Sequence, residues 1–174
     1  MTHPDQPTPA PDLVDSSLWR PVWQLLGSLD RDIAEVYAEA GLADFRPRFT
    51  GPLIRLGRRG PMTIQQLADL AEVTHSAMSQ TVTAMRAAGF VESAVGPDSR
   101  TRLVALTDRA RSVVPFLEAE WRATEMALLE LEAEVPYALS QAARDIGAAL
   151  TGRPFAERLR SHLHVEPDSP AEPE

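Results

Sequence analysis

From Ser17 to about Gly41, apolar residues recur at Trp19, Val22, Trp23, Leu26, Leu29, Ile33, Val36 and Tyr37. This three-and-four spacing predicts an amphipathic helix, with Pro21 in its first turn, where a missing N–H costs nothing. A second helix is predicted over Phe45 to Gly60. It carries Phe49, Leu53, Ile54 and Leu56 and closes on Arg58, Arg59 and Gly60, and Pro52 is expected to kink it or delay its start. Thr63 followed three residues later by Gln66 is a capping-box pattern. It opens a third helix to about Ala71, with Ile64, Leu67, Ala68 and Ala71 inward. Glu72 and Val73 make a turn, and Thr74 N-caps a fourth helix that stops before Gly89. Helical periodicity groups Ala77, Met78, Val82 and Met85 on the inner face of that helix. It sets His75, Ser76, Ser79, Gln80, Thr83 and Arg86 on the other.

The period then changes. Short apolar runs at Phe90 to Val95 and Arg102 to Leu106, separated by the turn formers Gly96, Pro97, Asp98 and Ser99, predict two hairpin strands. Thr107 caps a long helix whose stripe is Val113, Val114, Leu117, Trp121, Met126, Leu128, Leu129 and Leu131, with a bend expected at Pro115. Further helices are predicted from about Pro136 to Leu150 and from Pro154 to Leu163. Helix, turn, helix, strand, charged loop, strand over Thr63 to Thr107 is the order of a winged helix-turn-helix, a DNA reader. The fold class is therefore mainly α, with a small β-hairpin wing and flanking N- and C-terminal helices.

Composition supports this class. Hydrophobic residues make up 44% and aromatics only 6%, a helical rather than a sandwich profile. No apolar run reaches bilayer length, and the Pro-rich start, MTHPDQPTPAPDLVD, lacks the basic and apolar regions of a secretory signal. A cytoplasmic protein without membrane contact is expected. With no cysteine, disulfides, thiolate metal sites and thiol redox sensing are excluded together. All 17 basic residues are arginine, so every basic contact is planar and capable of bidentate bonding. The net charge of −8 opposes DNA binding only until it is mapped: residues 1–54 carry −4, residues 55–111 carry +3 and residues 112–174 carry −7. Only the predicted reader attracts phosphate, and the acidic flanks repel it.

The candidate chemistry follows that map. Ser76, Ser79, Gln80 and Thr83 are placed to meet base edges in the major groove, and Gln80 has the amide that pairs bidentately with adenine. His75 is a candidate phosphate contact, and Arg86 on the same outward face is a further DNA-binding candidate. In the loop, Arg100 and Arg102 are expected to reach the minor groove or the adjoining phosphates, with Asp98 bracing an arginine. A winged-helix module that contacts another protein and no DNA is the alternative. His3, His75, His162 and His164 do not have the spacing of a metal site, and no cofactor is expected. Without a nucleophile motif, a phosphate-cradling glycine loop or paired carboxylates, catalysis has no candidate.

The turn and helix THSAMSQTVTAMRAAGFV, the wing GPDSRTRLVALT with its Asp98-x-Arg100 pair and closing Leu106-Thr107, and the long helix after it resemble the MarR family of bacterial transcriptional regulators. The resemblance covers most of residues 16 to 163. It departs at Ala110, where glycine is usual, and at Gln80, where arginine is frequent. The Pro-rich start reads as a disordered arm over 1–15, and the resemblance implies one MarR-like domain over 16–163. Within that domain the DNA-binding winged helix spans about 46–107 and the dimerisation helices about 16–41 and 107–163. An acidic disordered tail over 164–174 follows. It further implies a homodimer on double-stranded DNA carrying a pseudo-palindromic operator, acting as a repressor released by a small lipophilic or phenolic ligand. Trp19, Trp23 and Phe49 are the candidate ligand-cleft residues, with core or interface packing as the competing role for these aromatics.

Overall fold

A computed structural model describes residues 16–95 and 101–163. Its chain divides into two units, Met1–Trp121 and Arg122–Glu174. In the first unit α1 spans Arg20–Glu39 with proline in its first turn. Where one continuous second helix was expected, a 3-10 turn at Pro47–Phe49 comes first and α2 follows at Thr50–Arg59. Proline within the first turn of α2 leaves no interior hydrogen bond broken, so Pro52 is accommodated there and is buried.

The reader follows as α3 at Ile64–Ala71 and α4 at His75–Ala87. The α3 capping box forms as expected: the Gln66 amide N–H donates to Thr63 Oγ1 at 3.1 Å and the Thr63 N–H donates to Gln66 Oε1 at 2.9 Å. The Thr74 hydroxyl accepts from the Ala77 N–H at 3.2 Å and starts α4. Gly89 ends it with φ of +74°, a conformation that a Cβ would strain. Strands β1, Val91–Val95, and β2, Arg102–Leu106, pair antiparallel with Val91 opposite Leu106 and Ser93 opposite Val104. Met62 adds a bridge on the far side of β2, exchanging bonds of 3.1 and 2.7 Å with Val104.

The core of this unit lies where α1, the 3-10 turn, α2, α3, α4 and the hairpin meet the start of α5, Asp108–Ala133. Phe45 stands edge-on to both Phe49 and Phe90, at centroid distances of 5.6 and 5.3 Å. Leu53, Leu67, Met78, Val82, Met85 and Leu117 complete the apolar interior. Two hydroxyls are held among them: that of Tyr37 lies 2.6 Å from that of buried Thr50 and donates to Glu120 Oε2 at 2.5 Å. A single phenol thereby ties α1, α2 and α5. On α4, Met78, Val82 and Met85 are buried as predicted, but Ala77 is exposed. Its small side chain weighs little in the hydrophobic pattern, and the larger methionines set the inner face one step further round the helix.

The second unit contains the rest of α5, then α6 at Leu139–Gly152 and α7 at Phe155–His162. Glu132 accepts from the Ser140 N–H at 2.6 Å and from its hydroxyl at 2.8 Å, which caps α6. These bonds hold the Glu132 carboxyl below its ordinary range. Arg158 donates to the Ala149 and Arg153 carbonyls, joining α7 to the end of α6. None of residues 122–163 is buried.

Burial, and then the bond to Glu120, push the Tyr37 phenol above its ordinary value of 10.0. The folded chain therefore keeps a proton that the unfolded chain gives up above about pH 10. Stability from this group is fully present below that pH and falls as pH rises further, by up to about 1.4 kcal/mol per pH unit. Tyr37→Phe should remove this alkaline slope and cost about 1 to 3 kcal/mol at neutral pH through the lost buried hydrogen bonds. Urea unfolding at pH 7 and between pH 9.5 and 11 checks both; an unchanged alkaline slope would show that another group titrates.

Candidate nucleic-acid interface

Helix α4 projects one continuous exposed stripe. Ser76, Gln80, Thr83 and Ala87 follow each other at four-, three- and four-residue steps, with Ala77 and half-buried Ala84 alongside. Of the residues expected to meet DNA, Ser76, Gln80 and Thr83 share this stripe. Ser79 is half-buried, while exposed His75 and Arg86 lie on the flank beside it. Arg86 donates to the Ser93 hydroxyl of β1 at 3.2 Å, so its guanidinium leans toward the hairpin. Arg102 opens β2 and is exposed. Asp98 and Arg100 lie outside the described residues.

The hydroxyls on α4 are not equivalent. Thr83 donates to the Ser79 carbonyl at 2.9 Å and Thr81 to the Ala77 carbonyl at 3.1 Å. This is the usual competition of helical threonine for the main chain. Gln80 and Ser76 make no side-chain hydrogen bond among the described residues and present their full donor and acceptor sets outward.

The stripe is held in place from behind. Arg109 of α5 lies 4.5 Å over the Phe90 ring and donates to the Ala88 carbonyl at 2.8 Å. The Thr107 hydroxyl donates to the Gly89 carbonyl at 2.8 Å and accepts from the Ala110 N–H at 3.2 Å. Sequence reasoning assigned Thr107 only the second of these roles and overlooked Arg109. An arginine two residues after a helix cap gives no sign of the ring it covers. Arg58, at the basic end of α2, is paired with Glu118 at 2.7 Å, which raises its pKa and takes up part of that basic cluster.

The three aromatics proposed for a ligand cleft are placed differently from one another. Phe49 is buried, whereas Trp19, just before α1, and Trp23 within it are 46% and 65% exposed. Phe49 lines a groove of about 450 Å³ with Phe45, Asp44, Arg46 and the alanines at the end of α4, and neither tryptophan borders it. No group of histidine and carboxylate side chains among the described residues is arranged to hold a metal ion. No described helix is long and apolar enough to cross a membrane.

A family model described as the MarR family matches residues 53–101, which run from α2 through the recognition helix into the hairpin. A solved MarR family transcriptional regulator from Silicibacter pomeroyi is 27% identical, covers 80% of this chain and 98% of its own, and superposes with a TM-score of 0.54. Over residues 53–101, its winged helix-turn-helix, this chain is similar to the MarR family. Two more distant structures share the fold. One is a probable transcriptional regulator from Pseudomonas aeruginosa, 22% identical, covering 79% of this chain and 98% of its own at a TM-score of 0.50. The other is the heme sensor PefR in complex with heme and carbon monoxide, 18% identical, covering 79% and 92% at 0.53. No curated protein matches the chain.

Within this helix-turn-helix the turn is strained at one residue. Glu72 has φ of +54° and ψ of 38°, the left-handed region, and is the one non-glycine residue with positive φ among the described residues. Left-handed geometry costs an L-residue about 1 to 2 kcal/mol. Glycine there gives back about 0.4 to 1 kcal/mol through unfolded-chain entropy. Glu72→Gly should thus raise the unfolding free energy by about 0.5 kcal/mol. Denaturant midpoints of the two proteins measure this, and a lower midpoint in the variant would mean that the glutamate side chain contributes an interaction stronger than the strain.

Proposed function

We propose that this protein is a homodimeric, sequence-specific DNA-binding transcriptional regulator that represses from a pseudo-palindromic operator and is released by a small lipophilic or phenolic ligand. The observation that carries the reading is the exposed Ser76, Gln80 and Thr83 stripe on α4, next to a hairpin strand that starts with Arg102, in the basic segment of an otherwise acidic chain. In this reading α4 enters the major groove, Ser76, Gln80 and Thr83 face base edges, and half-buried Ser79 lies at the margin of that surface. His75 and Arg86 meet phosphates, and the wing, with Asp98, Arg100 and Arg102, takes the flanking groove. The likeness to a MarR family transcriptional regulator supports the regulatory role.

Dimer formation is supported in each unit separately. Along α1, Trp19, Trp23 and Leu26 are exposed on one side. The second unit leaves Met126, Leu129, Phe155 and Leu159 uncovered and buries no side chain. Apolar surface of this extent needs a partner, and a second copy related by two-fold symmetry is the partner proposed for each stripe. Ligand release is supported by the family and by a fold relative that is a heme sensor. The ligand acts by holding the dimer in a spacing that DNA does not accept, which requires different affinities for the two states.

Selection of bound duplexes from a random pool at moderate salt tests the reading. The expected product is an inverted repeat with half-sites about 10 base pairs apart. A folded dimer that enriches no sequence would instead favour the protein-interaction module. On the selected operator, Gln80→Ala should lose about 1 to 3 kcal/mol of discrimination at one position per half-site. Arg102→Ala should weaken binding uniformly and lower the salt slope by about 1 for each phosphate it no longer neutralises. Because the Arg102 side chain is exposed, the same substitution should change stability by no more than about 0.5 kcal/mol. Competition binding with single-base variants and a salt titration report these two effects independently.

A further inference from the structure

We propose that α4 reads thymine by its C5-methyl group, through Ala77 and the γ-methyl of Thr83, so that each operator half-site is centred on A·T pairs. This rests on the DNA-binding reading above and specifies what the stripe recognises. Guanine is read in the major groove chiefly by a cation donating to O6 and N7. The stripe has no such group: α4 contains one arginine, Arg86, and it lies on the flank, bonded to Ser93 of β1.

The threonine that sequence reasoning counted as a polar contact has already committed its proton. Thr83 Oγ1 donates to the Ser79 carbonyl at 2.9 Å, so the exposed side chain offers a methyl group and an acceptor, and no donor for guanine O6 or N7. Ala77, expected to face the core, is exposed beside Gln80 and adds a second methyl. Half-buried Ala84 continues this apolar edge toward the end of the helix. What remains for directional bonding is Gln80, whose amide matches the N6 and N7 edge of adenine, and Ser76, which accepts either base type. An amide for adenine between methyls for its partner thymines is a surface complementary to A·T pairs.

The test replaces thymines of the selected operator one at a time with deoxyuridine, which removes the methyl group and keeps every hydrogen-bonding atom. Affinities are read by fluorescence anisotropy at fixed salt. At least one position per half-site should lose about fourfold, the value of one buried methyl group. Thr83→Val keeps the methyl and loses the hydroxyl, so it should retain this discrimination. Thr83→Ser keeps the hydroxyl and loses the methyl, so it should bind thymine and deoxyuridine operators equally at the position it meets. Specific binding that tolerates deoxyuridine everywhere, or discrimination lost in Thr83→Val and kept in Thr83→Ser, overturns the proposal and leaves the DNA-binding reading standing. Failure to select any duplex overturns both.

Discussion

The exposed face of α4 and the hairpin are held by one buried ring, Phe90. It sits between the end of α4 and the start of β1 and is fully buried against Phe45 and Phe49, two rings from the α1–α2 connection. Its carbonyl accepts from the Thr107 N–H at 3.1 Å, and Arg109 lies over its ring. Recognition helix, wing and α5 are therefore joined within a few residues, by bonds that depend on Phe90 keeping its place. Aromatic edge contacts of this kind contribute about 0.5 to 1.5 kcal/mol each beyond area burial. Since interiors are close-packed, a shift of α5 at Thr107 is passed to the end of α4 rather than absorbed.

Polar groups are used sparingly around this pin. Tyr37 satisfies its hydroxyl with Thr50 and Glu120, and no buried side-chain nitrogen or oxygen among the described residues lacks a partner. The same economy operates on the exposed face of α4, where two threonine hydroxyls return their protons to the helix itself. A count of Ser, Thr and Gln along a recognition helix therefore overstates the bonds that helix has to offer. What reaches a duplex is the set left after local competition, and that competition follows from side-chain length: Thr reaches its own backbone, whereas Gln loses more entropy in doing so.

Local chemistry made much of this fold legible in the sequence. Thr63 with Gln66, Thr74 and Gly89 mark their helix boundaries by short-range hydrogen bonds and backbone preference, and each boundary falls where those residues put it. The hairpin followed from two short apolar runs separated by turn formers. Less legible was whatever depends on residues far apart in sequence. The Tyr37–Glu120 bond spans 83 positions, and the Met62–Val104 bridge joins a loop to a strand. The packing of Phe49 against Phe45 and Phe90 is likewise invisible in the sequence. On α4 the pattern placed Met78, Val82 and Met85 correctly but failed at Ala77, because a methyl group satisfies either side of an amphipathic helix.

The stripes that remain uncovered bear on how such a reader is switched. None of residues 122–163 is fully buried, so their helices are held in part by bonds such as Glu132 to Ser140 and, in the proposed dimer, by the second copy. An arrangement held mainly by an interface has stability coupled to association, and it can adopt more than one geometry at low cost. The reader is the opposite, because its core is closed by aromatic packing and by Leu53, Leu67 and Met85. A ligand with limited binding energy gains more by biasing the loosely held element than by deforming the rigid one, since it shifts an equilibrium only by its differential affinity. In the proposed ligand-released dimer, this physical division favours control through spacing between two intact readers over control through distortion of α4, with Phe90 and Thr107 holding the end of α4 to the start of α5 in each.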